Sequence, residues 1–132
     1  MSKILRGIGL LFMMGFIFTM VGCSKTTTVI VDNSPAITET VQFSKTIVPI
    51  FSKSCAISGC HSGSVAPNLS DATAYNALVT GHYIDLATPA NSEVYLWLTG
   101  KKSATMPLGS ANNPSNINAL ILAWITQGAK NN

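Results

Sequence analysis

Residues 55–63 read Cys-Ala-Ile-Ser-Gly-Cys-His-Ser-Gly, in a chain with only three cysteines and two histidines. The reading of this stretch decides what kind of fold the chain adopts. Three chemistries compete for it. Cys55 and Cys60 can close a disulfide with His61 as a bystander. They can join His61 and His82 around zinc, which needs four ligands. Or the two thiols can form thioethers with the vinyl groups of a haem while the histidine directly after the second thiol binds iron. The usual signature for that attachment, Cys-x-x-Cys-His, has two residues between the cysteines, and this stretch has four. The longer spacer is workable if Ala56–Gly59 bulges outward, and Gly59 supplies the backbone freedom for it. By itself the stretch leaves haem and disulfide open. Zinc is the least suited, because thiolate sites are disfavoured where thiols oxidise.

The compartment follows from the N-terminus. Lys3 and Arg6 precede an apolar run from Gly7 to Gly22, 16 residues long. A bilayer-spanning helix needs about 20, so the run has the anatomy of an export signal, residues 1–22. Met-Val-Gly-Cys at 20–23 resembles a bacterial lipobox, which makes Cys23 the expected lipidation site; an uncleaved N-terminal anchor is the alternative. Acylation anchors stably when several chains are present, at about 0.8 kcal/mol per buried methylene. Ser24 after Cys23 resembles lipoproteins passed to the outer membrane. From Cys23 onward there are six Lys and five Asp or Glu, a net charge of about +1. No polybasic footprint remains, and nucleic acid is not an expected partner. With Cys23 assigned to lipid, Cys55 and Cys60 stand as a pair in an oxidising compartment.

Residues 23–39, rich in Thr and without helical period, read as the lipidated cysteine and a flexible tether. The folded domain is expected over 40–132. Phe43, Ile47, Ile50 and Phe51 share one helical face running into the cysteine pair, with Pro49 confined to a first turn or a kink. A short helix is expected near 71–79, capped by Ser70 or Asp71, with Ala74, Leu78 and Tyr75 inward. Another follows Asn91 or Ser92 and ends at Gly100. The last has Asn113 as cap, Pro114 at its first position, Ile117, Leu120, Ile121 and Trp124 on one stripe, and stops near Gly128. The fold class is all-α, about four helices joined by long loops. Loops this long in so small a domain signal function or a missing filler, and a flat apolar cofactor would supply it.

Four of the five methionines lie in the export segment. The fifth, Met106 in Ala-Thr-Met-Pro-Leu-Gly-Ser, sits in a polar loop where an oxidisable thioether is out of place unless used; plugging a core gap is the plainer role. Taken in order, Val-Pro-Ile-Phe…Cys…Cys-His-Ser-Gly, Ser-Glu-Val-Tyr-Leu-Trp-Leu, Thr-Met-Pro-Leu-Gly and Ile-Leu-Ala-Trp-Ile-Thr-Gln-Gly-Ala resemble the class I-like monohaem cytochrome c domain of bacterial exported proteins. The resemblance covers residues 40–129. It implies a small cytochrome c-like fold with loops wrapped around one covalently attached haem c, held by Cys55 and Cys60. His61 would be the proximal iron ligand and Met106 the distal one. The carbonyl of Pro67 would accept the proximal imidazole N–H, fixing the ring's orientation. Leu69 and Trp97 would pack on or near the haem, and Trp124 would hold the terminal helix against the first. The four-residue spacer departs from the pattern and puts the Cys55 bond in question.

The resemblance implies an electron carrier rather than an enzyme: an exported, membrane-anchored protein that serves redox partner proteins on the periplasmic side or cell surface. The rivals are a small haem peroxidase-like enzyme, which needs an open distal position, and a haem-free structural lipoprotein with a Cys55–Cys60 disulfide. His82 is a rival sixth ligand, though a plain loop histidine is the simpler reading. Lys101 and Lys102 form the only local positive patch that would steer an acidic partner, or simply a solvated turn.

Overall fold

The computed structural model of the protein describes residues 36–108 and 115–132. The export segment, Cys23, most of the tether and the expected Asn113–Pro114 cap lie outside the described residues. Among those described there are helices and no strand, as an all-α fold requires. A π-helical turn, Phe43–Ile47, runs directly into α1, Val48–Ser54. Three further helices follow: α2, Ala74–Thr80; α3, Glu93–Leu98, preceded by a single 3-10 turn at Pro89–Asn91; and α4, Ser115–Thr126. No helix among the described residues is long and apolar enough to cross a membrane.

Pro49 explains the wide turn at the start. It falls in the first turn of α1, where it offers no N–H and its ring crowds the carbonyl four residues back. The chain widens there: the Val48 N–H reaches the Phe43 carbonyl, five residues back, in a π-type bond. Phe43, Ile47 and Phe51 are buried on one face while Ile50 stays partly exposed. Phe43 is the hub. Its ring lies 5.0 Å from that of Trp124, 5.4 Å from Tyr75 and 6.3 Å from Phe51. Trp124 thereby packs α4 on the first helical segment, and Leu78, Ile121 and Ile125 complete the core.

Both expected glycine stops hold. After α3, Gly100 takes φ 69°, its N–H bonds to the Trp97 carbonyl and that of Lys101 to Leu96. After α4, Gly128 takes φ 98° and the pair recurs, Gly128 to Ile125 and Ala129 to Trp124. These are Schellman closures, which need a left-handed residue just past the helix.

The N-caps differ from expectation. Ser92 is the N-cap of α3 but makes no side-chain cap bond. Its buried hydroxyl accepts the Asp85 N–H at 2.9 Å and faces the Asp85 carbonyl at 3.3 Å. A loop with its own unsatisfied backbone groups takes the hydroxyl in place of the helix. Likewise α2 begins at Ala74, with Thr73 before it. Ser70 contributes its carbonyl to a turn, accepting the N–H groups of Thr73 and Ala74, and the Asp71 carboxylate accepts the Ser52 hydroxyl at 2.6 Å.

Candidate functional site

α1 delivers the chain to Cys55, whose N–H still bonds to the Phe51 carbonyl at 2.8 Å. Beyond it the spacer leaves the helix. The His61 N–H bonds back to the Cys55 carbonyl at 3.1 Å and the Cys60 N–H to the Ile57 carbonyl at 3.0 Å. The bond from His61 to Cys55 spans six residues where a helical turn spans four, so the two extra residues are extruded. Ile57, Ser58 and Gly59 are exposed, and Gly59 turns the bulge with φ 80°. The enlarged spacer thus keeps Cys55 and His61 adjacent through the backbone.

His61 is fixed from its other side. Its Nδ1 lies 3.1 Å from the Pro67 carbonyl. A carbonyl only accepts, so Nδ1 carries the proton and Nε2 is left with a free lone pair. The segment that follows is tied back as well, the Leu69 N–H bonding to the His61 carbonyl at 2.7 Å.

These residues surround a cavity of about 420 Å³, in the size range of small-molecule and cofactor sites. Cys55, His61, Pro67, Leu69, Trp97 and Met106 all line it. Six of the seven cofactor residues expected from sequence therefore line one cavity, though they come from four separate segments. Cys60 does not line it and is half-buried. His82 lies elsewhere, exposed, at the end of α2, where it occupies a left-handed conformation with φ 58°. The remainder of the lining is mostly apolar, including Phe51, Tyr83, Val94 and Leu98. Burial pushes the Cys55 thiol up to about 11, so it is protonated at neutral pH. Both Cys55 and Cys60 are free thiols.

Glu93 was legible only as a first-turn acid of α3, yet its carboxylate also lines the cavity. It accepts the indole N–H of Trp97 at 2.9 Å and pairs with Lys102 Nζ at 2.7 Å. The Lys102 hydrogen bond chiefly, with help from Trp97, holds the carboxyl below its ordinary range against the opposing effect of burial. Of the two lysines expected as a steering patch, Lys102 is thus already paired. Among the described residues no three or more His, Cys, Asp or Glu side chains converge on a metal position, so a four-ligand zinc cluster is not assembled there. Comparison with known proteins returns no match at a significant level, whether to a family model, a curated protein or a solved structure.

Proposed function

We propose that this chain is an exported, membrane-anchored monohaem c-type cytochrome that carries electrons. The observation that carries the reading is the His61–Pro67 hydrogen bond at 3.1 Å on the wall of an apolar cavity shared with Cys55 and Met106. An imidazole whose Nδ1–H is committed to a carbonyl presents Nε2 as a ligand in a fixed tautomer and orientation. The donor set fits a haem, because the macrocycle supplies four of the iron's ligands and the protein need add only the axial pair. His61 Nε2 and the Met106 sulfur would be that pair, with Cys55 and Cys60 as the thioether anchors. Bound there, the haem supplies an iron that cycles between Fe(III) and Fe(II).

The chain's own part is to orient and exclude. Pro67 holds the imidazole plane, Leu69 and Trp97 form apolar wall, and Phe51 and Leu98 join the cavity to the core. A thioether ligand favours the reduced iron and raises the potential. With Met106 also holding the iron, no ligand position would remain for a substrate, and this favours a carrier over a peroxidase-like enzyme. The anchor would be lipid on Cys23, placing the domain on the periplasmic side or cell surface within reach of redox partner proteins.

The test is expression through an export and haem-maturation pathway, followed by a reduced-minus-oxidised spectrum of the denatured protein. Covalent haem is expected, with Met106→Ala changing the native spectrum and His82→Ala leaving it alone. A chain without covalent haem and with a Cys55–Cys60 disulfide would instead establish the structural lipoprotein.

A further inference from the structure

Glu93 is the one acidic residue among the described residues that line the cavity, and its partners are Trp97 within α3 and Lys102 in the loop that leads to Met106. One oxygen accepts from Trp97 Nε1 at 2.9 Å; the other pairs with Lys102, just past the end of α3, at 2.7 Å. The Trp97 carbonyl in turn accepts the N–H of Met106 at 3.1 Å and that of Gly100 at 3.3 Å. The Gly100 turn is close-fitted, since a Cβ there would lie 2.7 Å from the Thr105 hydroxyl. Residues 99–106 therefore form a short loop that leaves the end of α3 and is tied back to it by the Met106 amide, with Glu93 bonded to Trp97 inside the helix and to the loop at Lys102.

We propose that Glu93 is a positioning residue that braces the Met106 loop over the cavity and so keeps the sixth iron ligand in place. The proposal rests on the haem reading of the same cavity. Glu93 acts through Trp97 and Lys102, and it does not itself bind the iron. The Trp97 bond orients an indole that lines the cavity, and the same residue's carbonyl anchors the Met106 backbone. The Lys102 pair limits how far the intervening chain can swing. The Lys102 and Glu93 side chains are 33% and 35% exposed, so the ion pair is a modest, salt-sensitive part of the brace, and the part-buried indole hydrogen bond to a charged acceptor adds to it.

Three variants separate a brace from a mere local charge. Glu93→Ala removes both contacts, Glu93→Gln keeps an acceptor for Trp97 but loses the ion pair, and Lys102→Met removes the ion pair from the other side. In the haem-loaded chain, imidazole competes for the position of the Met106 sulfur. The brace requires its apparent affinity to rise about tenfold in Glu93→Ala, and about two- to five-fold in both Glu93→Gln and Lys102→Met, the fold-changes of a lost charged hydrogen bond and a lost exposed ion pair. A simple field effect at the iron would shift those last two variants in opposite directions, because one removes a negative charge and the other a positive one. That opposite pattern, or unchanged imidazole affinity in all three, overturns the proposal.

Hydrogen exchange of the Met106 amide in the haem-free chain gives a second readout. It is expected to speed up in Glu93→Ala while the Ile121 and Ile125 amides of α4 stay protected. If Glu93→Ala loosens the whole chain, the two milder variants still decide the matter. A wild-type chain that acquires no covalent haem defeats the cytochrome reading alone, because faster Met106 exchange in the variants would still establish the brace.

Discussion

Cys55 sits where two demands on one thiol conflict. The proposed thioether bond would ask for a thiol at the cavity wall, and that wall is where burial lifts its ionisation to about 11 from an ordinary 9.0. In a chain produced without haem, Cys55 is therefore expected to alkylate more slowly at pH 8 than an exposed thiol, since the thiolate is the nucleophile. The stability consequence has a definite sign. Below about pH 9 the thiol is protonated in both folded and unfolded chains, and pH has no effect through it. Between about pH 9 and about 11 the unfolded chain releases the proton that the folded one retains, so stability falls as pH rises, and levels off above. Denaturation midpoints of the haem-free chain from pH 7 to 11, compared with those of Cys55→Ser, measure this. A Cys55→Ser variant with the same pH dependence as wild type would show that the thiol is not responsible.

Two glycines test the elements on either side of the cavity by different physics. Gly59 turns the bulge at φ 80° with nothing within 4 Å of a would-be Cβ. Gly59→Ala thus costs only the left-handed backbone penalty, about 1–2 kcal/mol. Gly81 closes α2 at an ordinary φ of −80°, but a Cβ there would lie 2.6 Å from the Ala77 carbonyl and against the Tyr83 ring. Gly81→Ala is expected to cost about 1–3 kcal/mol by overpacking and to displace Tyr83 from the cavity wall, both visible in urea midpoints and near-ultraviolet dichroism. The helices were largely legible because their signals are local: the apolar spacing of Phe43, Ile47 and Phe51, the glycines at 100 and 128, the stripe ending at Trp124. The caps were legible only in part. Ser92 is the N-cap of α3 as its position suggests, but its hydroxyl serves the backbone of Asp85. Ser70 gives its carbonyl to the turn before α2 and the Asp71 carboxylate goes to Ser52, and residue type alone does not report which group takes the oxygen. Glu93 was missed at the site because its bond to Trp97 is local to α3, whereas its place on the cavity depends on the packing of residues 51–69 and 106 around it.

At the scale of the whole molecule the core and the cavity are one apolar body with a gap in it. Phe51, Leu69 and Leu98 are buried in the core cluster and also line the cavity. A haem filling that space would stabilise the folded state by its binding, so the haem-loaded chain is expected to melt well above the haem-free one. Leu98→Ala should cost about 2–5 kcal/mol in the haem-free chain, read from the urea midpoint; an effect below 1 kcal/mol would show that the two regions are independent. The free N–H groups at the start of the first helical segment are met from the other side of the sequence. Phe43 N–H donates to the Asn132 side chain across 89 positions, Ser44 N–H to the Asn132 main-chain oxygen, and Val41 N–H to Gln127 across 86 positions. The start of the first described helical segment is therefore closed by Gln127 and Asn132. That turn is held by a long-range clasp and not by a cap of its own, so removing residues 127–132 is expected to expose its amides to exchange even where α1 stays helical.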